Sequence, residues 1–226
     1  MYRFSQGLRL RNVDLIDDGL AASSRTLAKM AKKITEVCCQ GLSRLKRRGA
    51  MRVGGRHHFV VLDESQFSHK RKYNRGRFGN TWRRIKKWVF GIMEVSRRRR
   101  KPILRLVRGR SRRHLLPIIR KYVRPGTAVL SDEWRAYHGV LAQHGYRHFT
   151  VCHKRNFINP TTGAHTQHLE RAWQTYKCQV WRRRGNRSTK SLKRHLCLIE
   201  WHYWLGNRHR GGVLGRLIHD IKRAYK

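Results

Sequence analysis

Acidic residues are the scarce element of this chain, and their placement constrains its fold more than any other feature. Against 54 Lys and Arg stand only 12 Asp and Glu, for a formal charge of +42. Like charges at this density repel one another, so few of the carboxylates can be dismissed as ordinary surface solvation. Three of them, Asp63, Asp132 and Glu170, each close or flank an apolar segment. That pattern is expected of carboxylates carried to one metal-binding cleft. The basic residues run along the whole length rather than forming a detachable tail. A field of this sign draws phosphate backbones at long range and makes binding strongly salt-dependent. RNA and anionic membranes respond to the same field, and charge alone does not choose among them.

A chain of 226 residues buries one good core and leaves room for a small accessory module. Cys38, Cys39, Cys152, Cys178 and Cys197 form neither a CxxC pair nor an even disulfide framework, which fits a reducing compartment. The opening residues lack the charged and apolar regions of a signal peptide. No run approaches the 18 or so apolar residues that span a bilayer, so no membrane partner is expected.

The first 50 or so residues read as helices. Val13, Leu15, Ile16 and Leu20 form one apolar set, and Ser23 or Ser24 can cap a following helix through Leu27, Met30, Ala31 and Ile34. Two short helices in this order fit a helix-turn-helix, the second presenting Arg25, Lys29, Lys32 and Lys33 to a major groove. A separate helix through Leu42 and Leu45 packs behind them in this reading. The Arg- and Gly-rich stretch from Lys46 to Arg56 then marks a boundary, giving a DNA-binding module over 1–53, a catalytic domain over 54–210 and a C-terminal helix over 211–226.

Beyond that boundary the pattern changes. Strands are predicted at Phe59 to Leu62, ending in Asp63-Glu64, at Trp88 to Met93 and at Pro102 to Val107. Between the first two lies a basic loop or ribbon that includes Lys70, Arg71, Lys72, Arg75 and Arg77, suited to gripping phosphates. A helix through Leu115 to Tyr122 tolerates Pro117 only within its first turn. A fourth strand, Thr127 to Ser131, delivers Asp132, a helix carries Trp134, Tyr137, Val140 and Leu141, and a fifth strand spans His148 to Cys152. Helices follow at about 166 to 183, from Leu192 to Trp204 and from Val213 to Ile221.

Three strands, a helix, a strand, a helix, a strand and then helices is the order of a ribonuclease-H-like α/β fold, a mixed five-stranded sheet with flanking helices. In that topology Asp63, Asp132 and Glu170 fall on the first strand, after the fourth, and on the helix after the fifth. Hard carboxylate oxygens suit Mg²⁺ or Mn²⁺, and two such ions can serve phosphodiester chemistry. The alternative for each residue alone is ordinary: a strand end, a helix cap and a solvated helix position. His165 stands close enough in sequence to Glu170 to position a water or phosphate. Lys177 lies seven residues after Glu170, on the same helix face. Trp173 reads as a core anchor, and Glu64, whose neighbouring position aims it away from Asp63, as a supporting or surface residue. The spacing of Cys152, His153, His165 and His168 argues against structural zinc.

The ordered motifs Asp63-Glu-Ser, Lys72-Tyr-Asn-Arg-Gly-Arg77, Ser131-Asp-Glu-Trp-Arg-Ala-Tyr137 and His165-Thr-Gln-His-Leu-Glu170, followed by Trp173 and Lys177, carry a resemblance. The chain resembles the transposases of the Merlin group and their bacterial relatives of the IS1016 and ISXO2-like groups, from about Ser24 to Asn207. The resemblance implies a cut-and-paste enzyme that acts on terminal inverted repeats and target DNA through the triad Asp63, Asp132 and Glu170. Two divalent ions, a homodimer or larger assembly, and a nuclear location in a eukaryote or a cytoplasmic or nucleoid one in a bacterium are implied with it. Bacterial relatives often carry Asn where this chain has Gln167, which is expected to assist Glu170. Many relatives also carry a cysteine-rich zinc-binding segment ahead of the helix-turn-helix; this chain shows none, so a shortened copy with weakened end recognition is expected. A domesticated or decayed descendant that binds DNA without cutting it, and a basic RNA-binding protein, are the alternatives.

Overall fold

The computed structural model describes residues 1–7, 12–67, 87–95, 100–151, 167–183 and 188–226. Five strands form one mixed sheet in the order β3-β2-β1-β4-β5. β1 (Phe59–Phe67), β2 (Lys87–Val95) and β3 (Lys101–Val107) are joined in antiparallel pairs, while β4 (Ala128–Asp132) and β5 (Arg147–Val151) run parallel to β1. This is the ribonuclease-H-like arrangement expected from the element order. Its helices are α1 (Tyr2–Ser5), α2 (Asn12–Asp17), α3 (Ser24–Arg47), α4 (Arg112–Tyr122), α5 (Val140–Gln143), α6 (Gln167–Arg182), α7 (Thr189–Trp204) and α8 (Gly212–Ala224).

Period-two alternation divides the strand residues between two apolar layers. Val60, Leu62, Phe90, Ile92, Ile103 and Val129 face one side, where α3, α4 and α8 contribute Ile34, Cys38, Leu42, Leu115, Ile119 and Leu217. Val61, Val89, Met93, Leu104 and Leu130 face the other, against Ala172, Trp173, Tyr176, Leu192, Leu196 and Ile199 of α6 and α7. The apolar stripe expected along α6 is therefore the surface that covers the second face.

Four local expectations are corrected. The helix at Ser24 does not stop near Ile34: α3 runs unbroken for 24 residues, and its Ile34, Cys38 and Leu42 share a core with the sheet. Gly41, in its last third, is a point of close approach: a Cβ there would stand 2.7 Å from a carboxylate oxygen of buried Asp220 in α8. β1 does not end at Asp63, because β2 stays paired with it as far as Phe67. Pro117 is the sixth residue of α4, past the first turn, where its ring nitrogen leaves the Arg113 carbonyl without an i→i+4 donor. The helix expected from Trp134 shrinks to α5, four residues long, after a run of turns. Ser23 does cap α3, its hydroxyl accepting from Thr26 N–H at 3.2 Å.

The segment between α3 and β1 is packed. Met51 and Val53 are buried, Val53 forms an isolated parallel bridge with Val123, and Gly54 N–H donates to buried Glu94 at 2.9 Å. Cys38, Cys39, Cys178 and Cys197 carry free thiols. Among the described residues no helix is long and apolar enough to cross a membrane.

Candidate active site

The last ladder pair of the parallel strands β1 and β4 is Val61 with Leu130. Two residues further along each strand stand Asp63 and Asp132. Alternation puts both on the face of Val61 and Leu130, the face that α6 covers. The ends of parallel strands in an open α/β sheet are where such folds place ligands. The two carboxylates are held by neighbouring N–H groups. Asp63 Oδ1 accepts from Glu64 N–H at 2.7 Å and its Oδ2 from the Trp173 indole at 2.9 Å; Asp132 Oδ1 accepts from Trp134 N–H at 3.2 Å. Both remain partly exposed.

Glu170 lies in the first turn of α6 and is exposed. Trp173, one turn on and on the same helical face, is the residue that reaches Asp63, so α6 directs this face toward the middle of β1. Lys177, a further turn along, rests its ammonium 5.8 Å from the centre of the Phe67 ring at the end of β1. Gln167 opens α6. His165 and the basic residues Lys70, Arg71, Lys72, Arg75 and Arg77 lie outside the described residues. Arg25, Lys29, Lys32 and Lys33 are exposed on α3.

For a divalent ion, the donor chemistry at Asp63 and Asp132 fits: hard carboxylate oxygens from adjacent strands on one face. Among the described residues, no group of three His, Cys, Asp or Glu side chains is near enough to hold one ion.

Beneath this site lies a buried network that the sequence reading undervalued. Glu64 accepts a very short hydrogen bond from the Tyr137 hydroxyl and an ion pair from Arg110 Nε at 2.9 Å. Burial raises its carboxyl above the ordinary range, against the pull of those two donors. Burial and the adjacent Glu64 likewise push the Tyr137 phenol well up. The Arg110 guanidinium lies 4.7 Å from the Trp88 ring centre and 4.2 Å from that of Trp134, whose indole donates to the Arg110 carbonyl at 2.9 Å. Trp134 therefore ties the turn carrying Asp132 to an arginine that neutralises Glu64. One signal was available: Glu64 continues the alternation of core residues Val60 and Leu62. The other missed contact, from Trp173 to Asp63, spans 110 residues and has no local signature.

A five-stranded sheet of this order, with helices packed on both faces, is the ribonuclease-H-like architecture. The chain belongs to the ISXO2-like transposase family, whose domain matches residues 52–196. It is also similar to the catalytic core domain of BIV integrase, at 14% identity and a TM-score of 0.42, over 76% of this chain and 100% of that one. A simian T-cell lymphotropic virus intasome structure matches at 17% identity and a TM-score of 0.39, over 70% of this chain and 50% of that one. No curated protein sequence matches the chain.

Proposed function

We propose that this protein is a cut-and-paste DNA transposase, which hydrolyses a phosphodiester at the element end and then uses the exposed 3′ hydroxyl to attack a target phosphodiester, releasing a target 3′ hydroxyl. The observation that carries this reading is the placement of Asp63 and Asp132 on one face, two residues past the last β1–β4 ladder pair, within the family-matched segment. Asp63 and Asp132 hold divalent metal, and Glu170, on the α6 face above them, completes the set when DNA is engaged. Two Mg²⁺ or Mn²⁺ ions, when bound, supply activation of the attacking oxygen and stabilisation of the leaving one. The Trp173 and Glu64 N–H groups orient the Asp63 carboxylate, and Trp134 N–H orients Asp132. Gln167, His165 and Lys177 support the phosphate beside Glu170.

Duplex DNA bearing terminal inverted repeats, together with target DNA, is the substrate class this reading requires. The exposed Arg25, Lys29, Lys32 and Lys33 of α3 provide the sequence-reading surface. Lys70, Arg71, Lys72, Arg75 and Arg77 grip the backbone, so residues 1–53 and 54–210 divide the work of reading and cutting. Two element ends must meet for transposition, which calls for a dimer or larger assembly. The cellular site of action is that of the host's DNA.

Incubation of the protein with end-containing duplex and Mg²⁺ or Mn²⁺, with Asp132→Asn as the control, tests the reading. Metal-dependent nicking and strand transfer by the wild type alone is the expected result. Equal cleavage by the variant removes Asp132 from the site. Salt-dependent binding with no nicking by either protein favours a domesticated, non-catalytic descendant, and a preference for RNA at matched salt favours the RNA-binding alternative.

A further inference from the structure

We infer that Trp173 and Gly91 act together as a positioning device for the acidic site. The missing side chain at Gly91 admits the Trp173 indole onto the sheet, where its N–H fixes Asp63 and docks the first turns of α6 beside that carboxylate. The inference deepens the transposase reading and rests on it for the role of Asp63.

Four observations meet at this point. Gly91 of β2 is the ladder partner of Asp63 in β1. Alternation puts position 91 on the same face as Val89 and Met93, the face that α6 covers. A Cβ built on Gly91 would stand 2.5 Å from Trp173 Cζ2 and 2.6 Å from Cη2, so any other residue here evicts the indole or displaces the helix. From that slot Trp173 Nε1 donates to Asp63 Oδ2 at 2.9 Å, and the ring is only 5% exposed.

The indole is also braced on two sides. Phe67 meets it edge-on at 6.0 Å between ring centres and Tyr176 at 6.1 Å. Its donor direction is therefore set by packing, and Asp63 loses the rotational freedom it would have on a bare strand. A donor to a ligating carboxylate held in this way orients it for metal and tunes its affinity; loss of such a partner typically costs about 10- to 100-fold in metal binding. Trp173 is one helical turn from Glu170, so the same contact sets how near the third carboxylate comes to the other two.

The test uses the full chain and Mn²⁺ alone as probe, with free Mn²⁺ read by electron paramagnetic resonance. Trp173→Phe keeps a ring in the slot and removes the N–H. It is expected to weaken Mn²⁺ binding about tenfold or more, while the chain still unfolds cooperatively, at a lowered melting temperature, and metal-free DNA affinity at fixed salt stays close to wild type. Gly91→Ala is expected to weaken Mn²⁺ binding similarly in the wild type yet add little on top of Trp173→Phe, because the shorter ring leaves room for a methyl group. That non-additivity is the signature of one shared device. Unchanged Mn²⁺ binding by a folded Trp173→Phe, or simple additivity of the two substitutions, overturns the inference.

If Trp173→Phe does not fold, the indole N–H signals of the seven tryptophans of the wild type decide. One signal is expected to move with Mg²⁺ and to be altered by Asp63→Asn, and seven signals indifferent to Mg²⁺ overturn the inference. The two proposals fail separately. A wild type that binds Mn²⁺ through Trp173 but cuts no DNA removes the transposase activity and leaves the device standing. Metal-dependent cutting untouched by Trp173→Phe does the reverse.

Discussion

Asp63 and Asp132, just past the end of the parallel β1–β4 ladder, differ sharply from Glu200 and Asp220, the carboxylates of α7 and α8. The first two stay partly open, and backbone or indole N–H groups orient them. The second two are enclosed, at 1% and 0% exposure. Glu200 takes Lys46 at 3.0 Å, Arg105 at 2.5 Å and the backbone N–H of Leu104 on edge strand β3 at 2.7 Å. Asp220 takes both arms of Arg216, at 3.0 and 3.1 Å, with Arg44 at 3.4 Å and the Trp201 indole at 2.8 Å. Glu94 belongs with this second group, paired to Lys101 and to Gly54 N–H, as does Glu64 with Arg110 and Tyr137.

In a chain with a surplus of cations, a buried acid is a staple around which basic helices can close. Removing one partner of such a pair leaves the rest as uncompensated buried charge. A carboxylate left partly facing solvent, as Asp63 and Asp132 are, can meet a partner from outside the chain. Scarcity of acids therefore marks two populations, and burial with its partners separates them.

The comparison breaks most visibly if the two groups respond alike to neutralisation. Asp132→Asn is expected to lower metal-dependent nicking by a thousandfold or more, on the order seen when members of a catalytic set are removed, with the urea unfolding midpoint almost unmoved. Glu200→Gln should do the opposite, losing stability first and activity only as a consequence. Unfolding curves and initial rates on the same preparations distinguish the two outcomes.

Within the staple group, Asp220→Asn should cost about 3–5 kcal/mol in chemical unfolding, because Arg216 and Arg44 lose their counter-charge in a closed site. Gly41→Ala sharpens the same point. Helix propensity alone favours alanine by about 1 kcal/mol, whereas the contact with Asp220 predicts a net loss of about 1–3 kcal/mol. A stabilised variant in thermal unfolding would show that α3 and α8 have room to separate.

The smallest effect concerns protons. Burial, aided by His138, lowers the imidazole of His148, and burial, aided by Arg183, lowers that of His202. The folded state then binds fewer protons than the unfolded one at mildly acidic pH. Stability from these groups is present above the unfolded value of 6.5, declines as pH falls below it, and levels off once the folded pKa values are passed. Urea midpoints at pH 7.5 and 5.5 should show the loss, and replacing His148 with Gln, which retains a partner for Ser131, should flatten part of it.

Much of the fold was legible because it depends on local periodicity. The apolar runs at Val60, Val89, Ile103 and Val129 declared the strands, and the stripe Ala172, Trp173, Tyr176 and Val180 declared the face of α6. Boundaries were less legible where a distant partner sets them. β1 continues past Asp63 because β2 remains alongside it, and α3 continues past Ile34 because α7 and α8 give its later turns an apolar surface to bury. At the site, the residue types of Asp63 and Asp132 could be read directly, whereas their common face follows from the register that pairs Val61 with Leu130. The donor that orients Asp63 could not be read, since Trp173 is distant in sequence and Gly91 contributes only by lacking a side chain.

By itself, the sequence determined the strand and helix periods, the surplus of positive charge and the few acids able to meet it. Only tertiary structure decided which cation meets which acid. Arg44 pairs with Asp220 across 176 residues and Lys46 with Glu200 across 154. With 54 basic side chains for 12 acidic ones, sequence leaves a great many pairings open. Charge attracts without direction, and packing of the helices against the sheet selects the pairs that remain.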